Sequence, residues 1–253
     1  MRAPGLIAHH LRYINLSFWR NPSAAFFGIV FPLMVLLINS TMFGNAPVTI
    51  HGVTTTVASF YVAGMSVFAV AMTCFTNLAT AVLFDRDMGR LKRIRATPTP
   101  VLAYVVARLT FAMFAGLLAT MLCVGAGAAL FGVRIAPMAL VEFAGVVLFG
   151  GACFAALSLA VVGLVANAQA GPAVLNAMTF PVLFVSNVFY PIDRLPPWLL
   201  TITNALPVRP LANAATASFF GTPVAMRDLM VLGAWGLGGA LVAAAKFNWQ
   251  PRR

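Results

Sequence analysis

Between two long apolar runs lies the charged sequence Asp85-Arg-Asp-Met-Gly-Arg-Leu-Lys-Arg-Ile-Arg-Ala-Thr-Pro-Thr-Pro100. It contains five basic residues and two acids, whereas only 8% of the whole chain is charged. Such a segment cannot lie in lipid, and its positive bias favours the cytoplasmic side of a membrane. Its length predicts a short amphipathic helix between two membrane spans, which is a natural docking element for a soluble partner.

The rest of the sequence has the composition of a membrane protein. Hydrophobic residues make up 61% of the chain, and its 8% of charged residues compares with about 25% in soluble domains. Six apolar runs reach the length of about 20 residues that a bilayer requires. They cover 24–43, 57–83, 101–131, 138–165, 171–190 and 227–245. We therefore predict an all-α membrane protein with six transmembrane helices, organised as a single transmembrane domain over 1–253.

The distribution of Lys and Arg predicts the orientation of these spans. If the N-terminus is inside, the inner segments carry twelve of the 16 basic residues and the outer segments carry four. Basic residues concentrate on the cytoplasmic side, so both termini of this multi-pass protein are predicted to be cytoplasmic. Because the net charge of +11 comes mainly from residues beside spans, it gives no reason to expect nucleic acid as a partner.

Two further segments flank the spans. In 1–22, the residues Ile7, Leu11, Ile14 and Phe18 form one apolar helical stripe. This pattern predicts an amphipathic interfacial helix, and a simple juxtamembrane anchor explains it equally well. In the extracytoplasmic segment 190–226, apolar stretches between prolines are too short to cross a bilayer. They predict two short interfacial or re-entrant helices, around 196–205 and 208–220.

Polar residues inside the spans are candidates for a translocation path. Ser66, Thr73, Asn77 and Thr80 share one helical face, and polar side chains in a membrane helix face protein or water. Interhelical hydrogen bonding would explain the same pattern. The fifth span carries further polar residues and Pro181, at which a kink is expected. The candidate pathway residues are Thr73, Asn77, Thr80, Asn176, Phe180 and Asn187.

The sequence has no motif for catalysis or cofactor binding. It lacks a phosphate-binding loop, an H-E-x-x-H zinc motif and a G-x-S-x-G nucleophile motif, so we expect no catalytic residue, no metal and no cofactor in this chain. The three cysteines are predicted to be small buried side chains. An ATP-independent carrier or channel would need an ionisable site, for which Glu142 is the one candidate. A lipid-modifying enzyme is disfavoured because paired acids and a nucleophile are missing.

Two segments together resemble the membrane permeases of type-2 ATP-binding-cassette exporters, the family that includes daunorubicin-resistance permeases. Asp85–Pro98 resembles the basic loop after span two of that family, and Phe189-Tyr-Pro-Ile-Asp-Arg-Leu-Pro-Pro-Trp-Leu199 resembles its outer loop before span six. The family loop often begins with Glu, where this chain has Asp85. The six spans and the cytoplasmic termini agree with the family as well.

The resemblance implies a transmembrane permease subunit that exports a hydrophobic or amphipathic substrate such as a drug or lipid. A separate ATPase subunit would bind ATP and Mg²⁺, and two permeases would pair as a homodimer or heterodimer within membrane lipid. The loop 84–100 would act as a coupling helix against that ATPase. Its contact residues would be Asp85, Arg86, Gly89, Arg90, Leu91, Lys92 and Arg93, and an outer gate would comprise Tyr190, Pro191, Leu195, Pro196, Pro197 and Trp198.

Overall fold

The computed structural model describes residues 3–44, 46–50, 53–95, 101–165, 167–190 and 196–246, and within these ranges the chain is mostly helical. The helices are α1 Ala3–Trp19, α2 Pro22–Phe43, α3 Val57–Asp87, α4 Arg90–Arg95, α5 Val101–Phe131, α6 Pro137–Leu164, α7 Gly171–Phe184, α8 Pro197–Ala205, α9 Val208–Phe219 and α10 Met226–Lys246. Two short strands, β1 Pro47–Ile50 and β2 Val53–Thr56, complete the elements.

Five helices in the described part of the chain are long and apolar enough to cross a bilayer. These are α2, α3, α6, α10 and the part of α5 from Ala103 to Phe131, and they have 21 to 31 residues each. At about 1.5 Å per residue, even the shortest is about 30 Å long, which matches the hydrocarbon core. The prediction of an all-α membrane protein is therefore confirmed, and five of the six predicted spans are helices of spanning length.

The predicted fifth span, 171–190, is helical only as far as Phe184. Helix α7 has 14 residues, about 21 Å, which is shorter than the hydrocarbon core. Pro181 lacks the backbone donor that would continue the helix regularly, and Val185 leaves the helical conformation one turn later. Asn187 then adopts a left-handed φ of 58°. The prediction of a helical span through residue 190 was therefore wrong, because the chain turns after Phe184.

Helix α3 is the centre of the bundle. All of its residues from Ala58 to Thr76 are buried, and it packs against α2, α5, α6 and α9. Both α2 and α3 contain a π-helical turn, at Phe26–Val30 and Ala71–Asn77, and the two turns contact each other. Their contact is close because Gly28 faces Thr73 and Asn77. π turns inside α-helices are rare, and they occur frequently at functional sites.

The first loop between spans forms a small hairpin that the sequence analysis did not predict. β1 and β2 pair antiparallel, with Pro47 opposite Thr56 and Ile50 opposite Val53. Thr56 then caps α3 by accepting a hydrogen bond from the backbone N–H of Ser59. The hairpin adds two strands to a fold that is otherwise helical among the described residues.

Helices are present at the positions predicted around 196–205 and 208–220, as α8 and α9, and their interfacial or re-entrant placement stays a prediction. Helix α8 is exposed, and 65% of the Trp198 surface is accessible. Helix α9 is buried along almost its whole length and packs against α3, α6 and α10. The indole N–H of Trp235 in α10 donates to the carbonyl of Ala205 at the end of α8, which ties the two helices together.

The predicted helix near the N-terminus is present as α1, and part of its apolar stripe contacts protein. Ile14 is buried and Phe18 lies edge to face with Phe111 of α5, with ring centroids 5.4 Å apart. Tyr13 and Trp19 are exposed. One side of α1 therefore packs on the bundle, and aromatic side chains remain available for the membrane surface. The side chain of Ile7 lies outside the described residues.

A glycine in α3 provides a test of this packing. A Cβ at Gly64 would overlap the carbonyl oxygen of Val188, which is backbone and cannot move aside without displacing the turn after α7. We expect Gly64→Ala to lower the free energy of unfolding by about 1–3 kcal/mol, the usual cost of overpacking. The measurement is the melting temperature of the purified protein in detergent.

The matched control is Gly125→Ala in α5, where a Cβ meets no atom within 4 Å. Alanine has the higher helix propensity, so this control should melt at the same temperature as the parent or slightly higher. Equal melting temperatures for the two variants would contradict the close approach of α3 to Val188.

Candidate functional site

The charged segment after span two is anchored to the bundle through Asp85, near the end of α3. Asp85 is 4% exposed. Its Oδ1 accepts a hydrogen bond from Arg90 Nη1 at 3.1 Å, and its Oδ2 accepts one from the Tyr104 hydroxyl at 2.6 Å. The Nη2 of Arg108 also contacts Oδ2. One carboxylate therefore joins α3, α4 and α5.

Arg86 attaches α3 to a different helix. Its side chain is fully buried, and its Nη1 donates to the carbonyls of Val162 and Val165, at 2.9 and 3.0 Å. These carbonyls lie at the C-terminal end of α6, where the last C=O groups have no helical partner and carry partial negative charge. The guanidinium thus caps α6 from the side.

Asp87 completes the attachment. Its Oδ1 accepts from Arg86 Nε at 3.1 Å, and its Oδ2 accepts from the backbone N–H of Ala168 at 2.6 Å. Ala168 lies in the turn between α6 and α7. Three consecutive residues, Asp85 to Asp87, therefore connect the end of α3 to α4, α5, α6 and the start of α7.

Helix α1 reaches the same cluster. The imidazole of His10 lies edge to face against Tyr104, with ring centroids 6.2 Å apart. Burial, together with the nearby His9 and Arg108, lowers the pKa of His10 below its usual value. His10 is therefore neutral at pH 7 and adds no charge to the cluster.

The turn between α3 and α4 divides the predicted ATPase contact residues into two groups. Gly89 makes the turn with a φ of 68°, a conformation that favours glycine. Beyond it, α4 buries Leu91 completely. Asp85, Arg86 and Leu91 therefore face the chain's own interior, whereas Arg90, Lys92 and Arg93 are exposed and Gly89 is half-buried. We call the exposed set Arg90, Lys92 and Arg93 the α4 surface, and its contact with an ATPase stays a prediction.

A cavity of about 580 Å³ opens beside this cluster, within the size range of ligand pockets. Four of the predicted pathway residues line it: Thr73, Asn77, Thr80 and Asn176. The charged groups Asp85, Arg90 and Arg108 line it as well. Thr73 and Asp85 are twelve residues apart on α3, so the lining extends about 18 Å along the helix. The other two predicted residues, Phe180 and Asn187, do not line this cavity.

Phe180 and Asn187 have other surroundings. The ring of Phe180 lies 6.1 Å from that of Phe68, so it packs in the apolar core. Asn187 supplies the left-handed residue in the turn after α7, a conformation that asparagine tolerates better than most residues. Whether either residue meets a substrate stays a prediction.

The polar wall of the cavity makes both local and interhelical hydrogen bonds. Thr73 Oγ1 donates to the carbonyl of Ala69 in its own helix, at 2.7 Å. Asn77 Nδ2 donates across to the carbonyl of Ala24 in α2, at 3.0 Å. Among the described residues, the buried Oδ1 of Asn176 has no hydrogen-bond partner. Both sequence interpretations therefore describe part of this face: it lines a cavity, and it joins two helices.

The predicted outer gate is described only in part. Tyr190 and Trp198 are both more than 60% exposed, and Pro196 and Pro197 are exposed at the start of α8. Pro191 and Leu195 lie outside the described residues. The gate stays a prediction.

Glu142 is exposed near the start of α6. It lines a second cavity, of about 680 Å³, together with Phe149, Thr222 and Leu229. No cation forms an ion pair with it within the described ranges. An exposed carboxylate without an ion-pair partner among these residues lacks the sheltered, paired environment that a coupling site needs.

Two members of the charged cluster, Tyr104 and Arg108, were not predicted from the sequence. In the charge count, Arg108 is only a cytoplasmic charge. Because the two residues are four apart at the start of an apolar helix, they share one face, and this face lies next to the acids of the preceding loop. That spacing is the sequence signal for an internal partner of Asp85.

The Arg86 anchor makes a direct prediction. Arg86→Met keeps most of the side-chain volume but removes the guanidinium donor from the carbonyls of Val162 and Val165 and from Oδ1 of Asp87. We expect a loss of about 3–5 kcal/mol in the free energy of unfolding, as for other buried ion pairs broken on one side. Thermal unfolding in detergent measures it.

Lys92→Met is the matched control, because Lys92 is exposed on α4 and its substitution removes the same charge. The free energy of unfolding of this control should stay within about 0.5 kcal/mol of the parent value, as for most surface substitutions. Equal losses for the two variants would show that the loop charges act only through topology.

Comparison with known proteins places this geometry in a family. The chain is 31% identical over 251 residues to the daunorubicin resistance ABC transporter permease protein DrrB1 of Streptomyces coeruleorubidus. This match covers 93% of this chain and 79% of DrrB1. The chain is 25% identical over 222 residues to the transport permease ycf38 of Porphyra purpurea, covering 87% and 76%. The model of the ABC-2 type transporter family matches residues 8–220. With its long apolar helices, the chain therefore belongs to the ABC-2 type transporter family, as a multi-pass permease subunit of a bacterial-type cytoplasmic membrane.

Proposed function

We propose that this permease subunit is driven by a separate ATPase subunit that docks on the α4 surface, and that it exports a hydrophobic or amphipathic substrate. The observation that carries the proposal is the division of the charged loop: Asp85, Arg86 and Leu91 are buried against the bundle, whereas Arg90, Lys92 and Arg93 are exposed. A helix held from one side and cationic on the other suits an acidic partner surface.

The buried half of the loop would transmit the movement of the partner. A displacement of α4 passes through Arg90 and Asp85 to Arg108 of α5. The same displacement reaches the ends of α6 and α7 through Arg86 and Asp87. Because the cavity is lined by α3, α5 and α7, a shift of their cytoplasmic ends changes its access. Small shifts of packed helices are an established way to switch between two states.

The membrane arrangement follows from the charge count. Both termini would be cytoplasmic, α7 and the following turn would make a short fifth crossing, and α8 and α9 would form the re-entrant outer region. ATP and Mg²⁺ would bind to the partner, and two permeases would enclose the path. The cavity lined by Thr73, Asn77, Thr80 and Asn176 would hold the substrate on the cytoplasmic part of that path, with the predicted gate around Tyr190 and Trp198 at its exit.

An ATP-independent carrier is the second candidate, and Glu142 is its test residue. Its position in a cavity wall is the observation in its favour. A coupling site, however, needs a carboxylate sheltered from water and held by a partner, and Glu142 is exposed. The ATP-driven mechanism is therefore the better supported of the two.

The docking proposal is tested by reversing charge on the α4 surface. We expect the double variant Lys92→Glu and Arg93→Glu to lose the co-purifying ATPase and ATP-dependent transport, because two attractions become repulsions. Arg90 is left unchanged to preserve its bond to Asp85. The measurements are mild-detergent co-purification, ATP hydrolysis and transport in vesicles.

The control for this experiment is Arg12→Glu with Lys246→Glu. Both residues are exposed and both belong to the predicted cytoplasmic side, so the charge change and its effect on topology match. This control should keep the ATPase. If the α4 double variant retains the ATPase, the docking proposal is wrong. If Glu142→Gln is the only one of these variants to lose transport, the carrier is favoured.

The cavity makes a separate prediction at Asn176. Replacing it with Leu removes the one buried lining oxygen without a partner among the described residues. If a substrate group donates to it, the lost hydrogen bond of about 1–1.5 kcal/mol should weaken transport about 5- to 13-fold while the ATPase still co-purifies. Met178→Leu, at a half-exposed position of the same helix, is the control. Unchanged transport in Asn176→Leu would remove this residue from the path.

A further inference from the structure

The cavity beside the charged cluster has an unbalanced charge at one end. Among the described residues that line it, the charged ones are Asp85, Arg90 and Arg108. Two guanidinium groups therefore face one carboxylate, which leaves a formal surplus of one positive charge. His10, the nearest further titratable group of α1, is neutral at pH 7 because its pKa is lowered.

Both oxygens of the carboxylate in this cluster already accept hydrogen bonds. Asp85 Oδ1 is bound by Arg90, and Oδ2 is bound by both Tyr104 and Arg108. Each guanidinium, by contrast, has five N–H donors. The hydrogen bonds between described residues use one donor of Arg90 and two of Arg108. The end of the cavity therefore offers N–H donors, and it offers no uncommitted carboxylate oxygen to a cation.

The remainder of the cavity is apolar with a few polar groups. Phe18, Phe27, Phe111 and Met72 form its apolar walls, and the polar residues of α3 and Asn176 lie among them. The α3 lining runs from Met72 to Asp85, about 20 Å along the helix. An elongated cavity with a cationic end and an apolar body is complementary to an amphiphile.

We propose that this cavity binds an amphiphile with an anionic head group, a carboxylate or a phosphate, with the head at Arg90 and Arg108 and the chain along the apolar walls. The planar guanidinium matches the two oxygens of such a group. A cationic head would meet two like charges and a carboxylate that is already occupied. The inference names the substrate class of the exporter and so rests on the proposed function.

The test measures binding to the full chain alone, in nanodiscs of zwitterionic phosphatidylcholine. The probes are 11-(dansylamino)undecanoic acid and the matched dansyl undecyl ammonium, which share a fluorophore and chain and differ in the sign of the head. Empty nanodiscs correct for partition into lipid. We expect the anionic probe to bind at least about 10-fold more tightly, equivalent to about 1.4 kcal/mol.

Arg90→Gln assigns this preference to the cavity. Arg90 is the suitable position because its side chain is 59% exposed and Asp85 keeps Tyr104 and Arg108 as partners. The variant should lose most of the preference for the anionic probe and keep its melting temperature. Arg12→Gln is the matched control: it removes the same charge from α1, which also lines the cavity, but Arg12 itself is not a lining residue. It should bind both probes as the parent does.

Each result decides the inference. The inference is overturned if the parent binds the two probes equally or binds the cationic probe more tightly. It is also overturned if Arg12→Gln loses as much of the anion preference as Arg90→Gln does, because general surface charge would then be responsible. The assay contains no ATPase, so its outcome is separate from that of the docking experiment. If the parent protein shows no preference for the anionic probe but the ATPase still co-purifies with it, this inference fails and the proposed function stands.

Discussion

A single buried guanidinium holds one end of this bundle together. Arg86 is fully buried, and a charge in that position is stable only if its surroundings supply compensating groups. The C-terminal carbonyls of α6 and the carboxylate of Asp87 do so. Separation of α3 from α6 would leave these groups without partners at the same time, so the two helix ends are fixed relative to each other.

This constraint explains how a short charged loop can serve two purposes. The loop must fold back on the bundle, and it must also leave charged groups exposed. Asp85, Arg86 and Leu91 satisfy the first requirement, and the α4 surface satisfies the second. Because the buried bonds lead to α5, α6 and the turn before α7, the loop cannot move independently of the helices that line the cavity. The proposed drive by a separate ATPase subunit would use this mechanical connection.

The sequence predicted the features that the bilayer imposes and missed those that depend on tertiary contacts. Helix lengths follow from membrane thickness, so α2, α3, α5, α6 and α10 were located from hydropathy alone. The four-residue spacing of Asn77 from Thr73 put both on one face, and the structure gives that face a cavity. The partners of Arg86 could not be predicted, because Val162 lies 76 residues away and a count of basic residues treats every arginine as a topological signal. The end of α7 and the hairpin β1–β2 were missed for a different reason, because both have local signals that hydropathy does not contain. Pro181 lacks a backbone donor near the end of α7, and the β-branched residues of 47–56 favour strands.

The hydrogen bonds of the cavity wall indicate where recognition of the proposed amphiphile would take place. Thr73 donates to a carbonyl of its own helix and Asn77 to one of α2, so neither donor depends on a ligand for its stability. A wall of this kind remains stable when the cavity is empty, because its polar groups are satisfied by the protein. The groups that can form further hydrogen bonds are the guanidinium N–H donors of Arg90 and Arg108 at one end and the Asn176 oxygen. Selectivity then rests on a few points at defined positions, while the apolar surface between them accepts chains of different shape.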